Sequence, residues 1–407
     1  MNPPVRTTPI GPPVVQAPQR AEEAGARTSP RLPLDPLLTL AVLGLAIASV
    51  VTLGAATHNL IPGDPGYYVD RQVLYLVLGG LSMLVLARVD YARLRPLKNA
   101  IYGLLIGSIL AVLAVGHSAK GATRAISLPL LSFQASELGK VLLILALSAF
   151  VVDRARRLRE RDTTARVMLA ALVPAMFVIA QPDLGSGMVY MVIAFVLLLV
   201  AGTSSRQLCA LLALVALSLT FVLVAAPAAG VHVLKAYETE RLTAFLHPST
   251  DPRKKRSYQQ EEAKIAIGSG QKTGRGGGAT QVPLGYVPES HTDFVFAAVG
   301  EQYGFVGAGL VLCLYALLIW RTLRILTMAK DLFGALVAAG VAAMLMFQVF
   351  VNVGMTIGIM PITGVTLPLM SYGGSSVITT LLAVGLLQSI YVRSRASAAL
   401  KGRVGLY

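Results

Sequence analysis

Charged residues are scarce in this chain. Only 14% of its 407 residues are Asp, Glu, Lys or Arg, whereas 55% are hydrophobic. Because a soluble globular domain has about 25% charged residues, this composition argues against a soluble protein and indicates one that lies largely within a membrane.

Cysteine and histidine are also scarce. The two cysteines, Cys209 and Cys313, both lie within apolar runs. We therefore expect no disulfide, and we interpret both as small buried hydrophobic side chains. The five histidines are scattered without metal-ligand spacing, which argues against a zinc site.

Negative charge is the scarcer of the two signs. Lys and Arg number 35 against 20 Asp and Glu, which gives a formal net charge of +15. Such an excess is typical of nucleic-acid binding, but most of these cations flank apolar segments, as in the cytoplasmic loops of membrane proteins. We therefore expect membrane lipids as partners, and no nucleic acid.

Long apolar segments dominate the rest of the sequence. A membrane-spanning helix needs about 20 mostly apolar residues, and about ten segments qualify. We predict an all-α integral membrane protein, although the fifth and sixth segments also fit one broken hairpin. The predicted spans are residues 37–57, 72–88, 99–116, 136–152, 165–180, 187–202, 207–230, 294–320, 332–358 and 375–391.

The loops between these spans set the orientation. Basic residues cluster between spans two and three, between four and five, after eight and after ten. These loops share one side if both termini are cytoplasmic, as the positive-inside rule requires. The opposite loops are nearly neutral, since residues 181–186 contain one Asp and residues 359–374 contain no charge.

This orientation divides the chain into three regions. Residues 1–36, rich in Pro and Arg, are predicted to be a disordered cytoplasmic tail, with no cleavable signal peptide before the first span. Residues 37–393 form the membrane domain, and residues 394–407 a cytoplasmic C-terminal tail. Between helices seven and eight, residues 231–292 form one long extracytoplasmic loop, which is basic but long enough to be translocated regardless.

The long loop contains a helix-like stretch at 257–267 and then a glycine-rich run at 268–278. The run lacks the spacing of a phosphate-binding P-loop, and no strand precedes it. Two interpretations stay open: a plain mobile loop, or a flexible backbone that approaches a lipid-linked pyrophosphate.

A carboxylate stands where this loop meets the next span. Asp293 directly precedes an apolar run, and ionisable residues at membrane depth are costly and usually functional. Asp293 is therefore a site hypothesis. The alternative is a capping box, Ser290-x-x-Asp293, in which the carboxylate stabilises the helix N-terminus; capping and catalysis are compatible.

Four other polar residues interrupt the spans or their ends. Glu137 and Lys140 lie three residues apart on one helix face, either as a neutralising pair or as the lining of a polar cavity. Asp183 is expected to be a turn and cap carboxylate. Asn352, in the middle of span nine, is expected to hydrogen-bond across helices.

Short blocks rich in polar residues and glycine recur along the membrane region. They are Gly121-Ala-Thr-Arg124, Gln134-Ala-Ser-Glu-Leu-Gly-Lys140, Gln181-Pro-Asp-Leu-Gly-Ser186, Lys264-Ile-Ala-Ile-Gly-Ser-Gly270, Pro288-Glu-Ser-His-Thr-Asp-Phe294, Asn352-Val-Gly-Met355, Pro361-Ile-Thr-Gly364 and Ser371-Tyr-Gly-Gly-Ser-Ser376. In this order and combination the chain resembles the SEDS family (shape, elongation, division and sporulation), and two blocks are more similar to its RodA branch than to its FtsW branch.

The resemblance implies a multi-span peptidoglycan glycosyltransferase in the bacterial cytoplasmic membrane. Such an enzyme polymerises lipid II at the outer face, beside a class B penicillin-binding protein that supplies the transpeptidase. The essential aspartate of the family corresponds to Asp293, and its functionally sensitive Glu and Lys to Glu137 and Lys140. The other polar candidates within the matching blocks are Arg124, Asp183, Lys264, His291 and Ser371.

The sequence departs from the family pattern at several positions. Ala125 stands where an aromatic residue is usual, and Ala135 where proline is usual. The loop is basic at 253–256, where glycines are commoner, and Glu262 replaces the usual glutamine. No role is assigned to position 125; the block around Asp293 is intact.

The chemistry implied by the resemblance is one inverting displacement. The donor sugar is α-linked to a polyprenyl pyrophosphate and the polymer is β-linked, so the reaction needs one base, for which Asp293 is the candidate. The leaving pyrophosphate requires cations or a divalent ion, Mg²⁺ or Mn²⁺. Nothing singles out Glu289 or Glu301 as a second acid. The cation candidates are Arg241, Lys264, Lys272 and Arg275.

Two rival functions stay open. Polar residues within spans and segments broken by Pro and Gly are also typical of a transporter, here a lipid II flippase, although no repeat relates the two halves of the sequence. A non-catalytic scaffold for a penicillin-binding protein is the other rival. Within the polymerase interpretation, an elongation role like that of RodA is favoured over a division role like that of FtsW.

Overall fold

The structure, a computed structural model, describes residues 34–58, 60–61, 63–115, 117–119, 122–127, 132–221 and 255–404. Nearly all of the predicted N-terminal tail, the loop up to residue 254 and Arg241 therefore lie outside the described residues. The last helix continues to Val404, so the predicted boundary between the membrane domain and the C-terminal tail at residue 393 falls within a helix.

The described residues form eleven α-helices, and the predicted all-α membrane architecture is confirmed. Eight helices are long and apolar enough to cross a bilayer, and two apolar helices, α6 and α7, are shorter. The helices are α1 Pro36–Thr57, α2 Tyr67–Arg88, α3 Lys98–Val115, α4 Ala135–Asp153, α5 Arg161–Ala180, α6 Leu184–Val200, α7 Ser205–Thr220, α8 Lys255–Ser269, α9 Val295–Met328, α10 Leu332–Thr356 and α11 Gly374–Val404.

Three helices form the centre of this bundle. In α4, α10 and α11, 78%, 72% and 83% of the most apolar window is buried within the protein, against 22% in α2. Helices such as α2 instead expose apolar side chains, which lipid can solvate. The central helices α4 and α10 carry the intramembrane polar residues Glu137, Lys140 and Asn352.

The interpretation of the cysteines as buried was wrong. Cys209 on α7 and Cys313 on α9 are unpaired, as expected, but both are exposed. A small apolar side chain needs no protein cover on a helix face that meets lipid.

A small antiparallel sheet, which the sequence did not lead us to expect, lies between α3 and α4. Its strands are β1 His117–Ala119, β2 Ala122–Ser127 and β3 Ser132–Phe133, in the order β1-β2-β3. Strand β2 contains two β-branched residues, Thr123 and Ile126, a residue type that is enriched in strands. It also carries Arg124.

The helix that follows Asp293 is broken near its start. Residue Gly304 has φ 62° and ψ −159°, a conformation outside the helical region. Residues 295–302 before the break are buried, whereas Phe305 and Val306 after it are exposed. The predicted start of this span at residue 294 agrees with the helix start at Val295, but the helix continues to Met328, beyond the predicted end at residue 320.

The first part of α9 packs into an apolar core near the predicted outer face, which we call the outer apolar cluster. Phe294, the residue after Asp293, is buried in it. The cluster joins the end of α1, helix α8, the first part of α9 and the end of α10, so it supports the turn that contains Asp293. Its buried members are Ala56, Ala263, Ala266, Val282, Val287, Phe294, Ala297, Ala298, Met355 and Ile362.

Candidate functional site

The backbone around Asp293 is fixed by three successive hydrogen bonds. The carbonyl oxygens of residues 291, 292 and 293 each accept one bond from a group far along the chain. Because three consecutive carbonyls are held, the main chain at Asp293 has little freedom to move. The bonds run from Tyr372 N to His291 O (2.8 Å), from Ser371 Oγ to Thr292 O (2.6 Å) and from Asn352 Nδ2 to Asp293 O (2.9 Å).

Asn352 connects this turn to the loop between α10 and α11. Its side-chain amide also donates to Val365 O at 2.7 Å, and the residue is fully buried. The predicted hydrogen bonding of Asn352 across the bundle is confirmed, but its partners are backbone carbonyls of loops rather than a neighbouring helix. One side chain on a central helix thus holds both Asp293 and the 357–373 loop.

The predicted capping box was wrong. Helix α9 begins at Val295 with Phe294 as its N-cap residue, so Ser290 lies well before the cap position. A turn replaces the expected first helical residues, because Thr292 N and Phe294 N both donate to Glu289 O and Glu289 has a positive φ of 57°. Asp293 is half-buried and lies immediately before the helix, where the helix dipole favours a negative charge.

Aromatic rings surround the neighbouring histidine. The centroids of the His291 and Tyr68 rings are 4.7 Å apart, and those of Tyr68 and Tyr372 are 5.0 Å apart. Burial, followed by the neighbouring Tyr75, raises the pKa of the Tyr372 phenol well above its ordinary value, so it stays neutral.

Arg71 is a residue that the sequence analysis missed. Its guanidinium lies 4.1 Å from the centroid of the Tyr67 ring and hydrogen-bonds to Tyr372. A usable signal was present, because an arginine at the outer end of a span departs from the positive-inside pattern. It adds a cation beside Tyr372, whose ring centroid lies 6.1 Å from that of His291.

The two charged residues on α4 form a buried pair. Lys140 Nζ lies 2.7 Å from Glu137 Oε1, and the two side chains are 2% and 6% exposed. The predicted neutralising pair is therefore confirmed. Each charge depends on the other, since an unpaired ion at this depth is strongly destabilising.

Asp183 is the N-cap of α6, as expected. Its Oδ1 accepts from Ser186 N at 3.1 Å, while its Oδ2 accepts from Ser136 Oγ at 2.9 Å and from Gln134 Nε2 at 3.2 Å. The carboxylate therefore caps one helix and also ties it to the start of α4, one residue before Glu137.

The 357–373 loop and the start of α11 contact both groups of residues. Gly185 at the start of α6 packs on Val365, where an added Cβ would lie only 2.6 Å from Val365 Cγ2. Gln134 N donates to Ser375 Oγ at 2.9 Å. The structure thus brings together Asp293, His291 and Ser371, brings together Glu137, Lys140 and Asp183, and joins the two groups through the 357–373 loop and the start of α11.

The predicted loop cations differ in their surroundings. Lys264 pairs with Glu261 at 2.6 Å, so its charge is already compensated. Lys272 and Arg275 are exposed, and Arg275 Nη1 donates to Thr280 Oγ1 at 3.1 Å. The two exposed cations are the better candidates for an anionic ligand.

The two carboxylates considered as a second acid are both engaged. Glu289 Oε2 accepts from Thr292 Oγ1 at 3.0 Å, and Glu301 is fully buried with both oxygens bound by backbone N–H groups. Within the part of the chain that the structure describes, no three His, Cys, Asp or Glu side chains are placed to hold a metal ion. Because Mg²⁺ is usually bound by one or two carboxylates together with substrate phosphates, the divalent cation stays a prediction.

Comparison with known proteins gives matches over nearly the whole chain. The family model described as a cell cycle protein, FTSW_RODA_SPOVE, matches residues 34–396. A protein of Thioalkalivibrio sulfidiphilus named "Probable peptidoglycan glycosyltransferase FtsW" is 38% identical, over 95% of this chain and 97% of the relative. Peptidoglycan glycosyltransferase MrdB of Escherichia coli K12 is 33% identical, over 89% of this chain and 94% of the relative.

A solved structure agrees with these matches. One chain of a peptidoglycan synthase complex, described as coordinating polymerization and crosslinking, superposes with a TM-score of 0.72. It is 33% identical, over 89% of this chain and 99% of that chain. Because relatives named FtsW and MrdB both match, the expected closeness to RodA stays a prediction.

Proposed function

The chain belongs to the SEDS family of cell cycle proteins, and from that premise we propose that it is a peptidoglycan glycosyltransferase that polymerises lipid II at the outer face of the cytoplasmic membrane. The observation that carries the proposal is the fixed turn at residues 291–293. It presents one carboxylate, Asp293, at the end of the long loop and before the start of α9.

The reaction is a single displacement at the anomeric carbon of the donor. The 4-hydroxyl of the acceptor sugar attacks this carbon as the bond to the pyrophosphate oxygen breaks, which converts an α linkage into a β linkage. The Asp293 carboxylate accepts the hydroxyl proton, and the polyprenyl pyrophosphate leaves with the bonding electrons. A carboxylate is a weak base, which suffices when the proton is lost late in the displacement.

The hydrogen bonds behind Asp293 supply positioning. Misplacement of a catalytic group by about 1 Å can cost about 100-fold in rate. Asn352 and Ser371 hold the carbonyls of residues 293 and 292, so they act through Asp293 rather than on the substrate. On the leaving-group side, the exposed side chains of Lys272 and Arg275 and the guanidinium of Arg71 provide positive charge for the pyrophosphate.

The deciding experiment measures glycan chain length from purified lipid II in detergent. Wild-type protein should form polymer, and Asp293→Asn should reduce the rate by at least about 100-fold because the base is lost. Asp64→Asn, which changes an exposed carboxylate in the loop between α1 and α2, is the matched control and should polymerise normally.

The same assay separates the rival functions. Detergent provides no second compartment, so a flippase would form no polymer there. A wild-type rate in Asp293→Asn would reject Asp293 as the base. Polymer that appears only when the partner's own catalysis is intact would instead support a scaffold.

For the partner we propose a class B penicillin-binding protein. The support is the similarity to a chain from a complex that coordinates polymerization and crosslinking. Co-purification with such a protein should raise the polymerisation rate, and it should do so even when the transpeptidase serine of the partner is replaced. Dependence on that serine would contradict a separate polymerase in this chain.

The cellular role is proposed to be elongation, on the two sequence blocks that are more similar to RodA. The 38% identity to a relative named FtsW favours division instead. Depletion separates the two roles, because loss of an elongation enzyme gives round cells whereas loss of a division enzyme gives filaments.

A further inference from the structure

Glu301 is a fully buried carboxylate held by the backbone of the long loop. Its Oε1 accepts from Thr280 N and Gln281 N, both at 2.7 Å, and its Oε2 accepts from Val282 N at 2.8 Å. No ion pair with Glu301 is found among the residues that the structure describes. Charge-assisted bonds of this kind are stronger than neutral ones, and here they compensate the burial of the charge.

Arg275 is tied to Glu301 at two points. Its backbone N–H donates to Glu301 O at 2.9 Å, and its Nη1 donates to the hydroxyl of Thr280, whose own N–H binds the Glu301 carboxylate. Glu301 of α9 thus positions the main chain of Arg275 directly and its side chain through Thr280. Lys272 and Arg275 are also the only charged residues in 270–282.

The loop lies in direct backbone contact with α9 on both sides of its break. An added Cβ would lie 1.9 Å from Gly300 O at Gly270 and 2.1 Å from Gln302 O at Gly274, so neither position has room for a side chain. Beyond the break, Phe305 N donates to the carbonyl of residue 271 and Val306 N to that of residue 272. These glycines therefore serve close packing on α9 rather than approach to a ligand.

Glu301 lies on the helical segment that directly follows the proposed catalytic turn. Val295 and Glu301 belong to the same buried helical segment and are separated by about 9 Å along its axis, at about 1.5 Å per residue. The exposed guanidinium of Arg275, which is held at Glu301, therefore stays at a constant distance from Asp293, because both are attached to this segment of α9.

We propose that Glu301 is a positioning residue of the polymerase site, which holds Arg275 as the cation for the pyrophosphate of the lipid-linked donor. This inference rests on the proposed function. Glu301 does not contact the substrate; it fixes residues 280–282 and, through Thr280, the side chain that does.

The test is a double-mutant cycle on the purified full-length protein with lipid II. Glu301→Gln places an N–H₂ group against backbone N–H donors, and Arg275→Gln removes the cation. Each should raise KM for lipid II by about tenfold and lower kcat as well, because the cation binds the pyrophosphate in the ground state and also stabilises the charge that it gains as it leaves. Because Glu301 acts through Arg275, the double variant should have the KM of Arg275→Gln alone.

Two further variants complete the design. Thr280→Val keeps the backbone bonds to Glu301 but removes the hydroxyl that orients Arg275, so it should raise KM by about threefold; it decides the question if Glu301→Gln does not fold. Glu262→Gln removes a carboxylate elsewhere in the loop region and should leave KM unchanged. Additive effects of Glu301→Gln and Arg275→Gln, or an unchanged KM in Thr280→Val, would overturn the inference. Absence of polymer from the wild type would overturn the proposed function instead.

Discussion

At the scale of single residues, the position of Asp293 depends on groups that are remote in sequence. Asn352 donates to two carbonyls from the buried interior of α10. Removal of its amide leaves both carbonyls without that donor, and an unsatisfied buried polar group costs about 1–3 kcal/mol. The turn that carries Asp293 would relax as a result.

Asn352→Ala should therefore reduce kcat for glycan polymerisation by about 100-fold, since the base is displaced rather than removed. Thr356→Val, one turn further along α10, removes a hydroxyl that bonds only within the helix and should polymerise normally. Steady-state kinetics with lipid II in detergent, with thermal unfolding measured alongside, checks both variants. A wild-type kcat in Asn352→Ala would show that the turn does not need this donor.

Two residue-level predictions whose partners are near in sequence succeeded, although the equally local capping box at Ser290 and Asp293 did not. The spacing of Glu137 and Lys140 was enough to predict their pairing, and the turn at Asp183 was enough to predict a cap. The partners of Asn352 and Ser371 lie 59 and 79 residues away. No local pattern encodes such contacts, so the support of the candidate site was not predictable.

At the scale of elements, α9 is the helix that sequence reasoning described least well. Its hydropathy predicted one span from 294, yet the helix breaks at Gly304. A glycine within an apolar run gives no sign of its φ, because the break depends on the 270–275 loop packed against it. An added Cβ at Gly304 would lie 2.3 Å from Gly274 N.

Gly304→Ala should lower the free energy of unfolding by at least about 1–3 kcal/mol, because a positive φ and a backbone clash coincide. Gly309→Ala is the matched control, since nothing lies within 4 Å of an added Cβ there and alanine favours a helix by about 1 kcal/mol. Thermal unfolding in detergent should show a lower Tm for the first variant and an equal or higher Tm for the second. Equal values for Gly304→Ala and the wild type would contradict the strained break.

At the scale of the whole molecule, one network joins three helices at the predicted cytoplasmic face. Asp35, the N-cap of α1, is fully buried and binds Arg321 of α9, while Gln388 of α11 accepts from Asp35 N at 2.7 Å. The first span was predicted from hydropathy alone. The contacts of its N-terminus with α9 and α11 were not predicted, because Asp35 lies in the segment that was assigned to a disordered tail.

Asp35→Asn should destabilise the protein by about 3 kcal/mol, since Arg321, whose side chain is 13% exposed, loses its ionic partner. Arg324→Gln, an exposed change on the same helix, should alter stability by less than about 0.5 kcal/mol. The measurement is the shift in Tm in detergent. Similar Tm values for both variants would mean that this network contributes little to the bundle.

The hydrogen bonds from Phe305 and Val306 to the loop have a mechanical consequence. They bridge the break in α9, so a movement of the helix after Gly304 is passed directly to the backbone of residues 271–272. A thicker bilayer or a neighbouring helix imposes a tilt on this part of α9. The tilt first moves the loop that carries Lys272 and Arg275. The turn at Asp293 stays clamped to α10 and Arg275 stays anchored at Glu301, so a change in tilt alters the distance between Asp293 and Lys272.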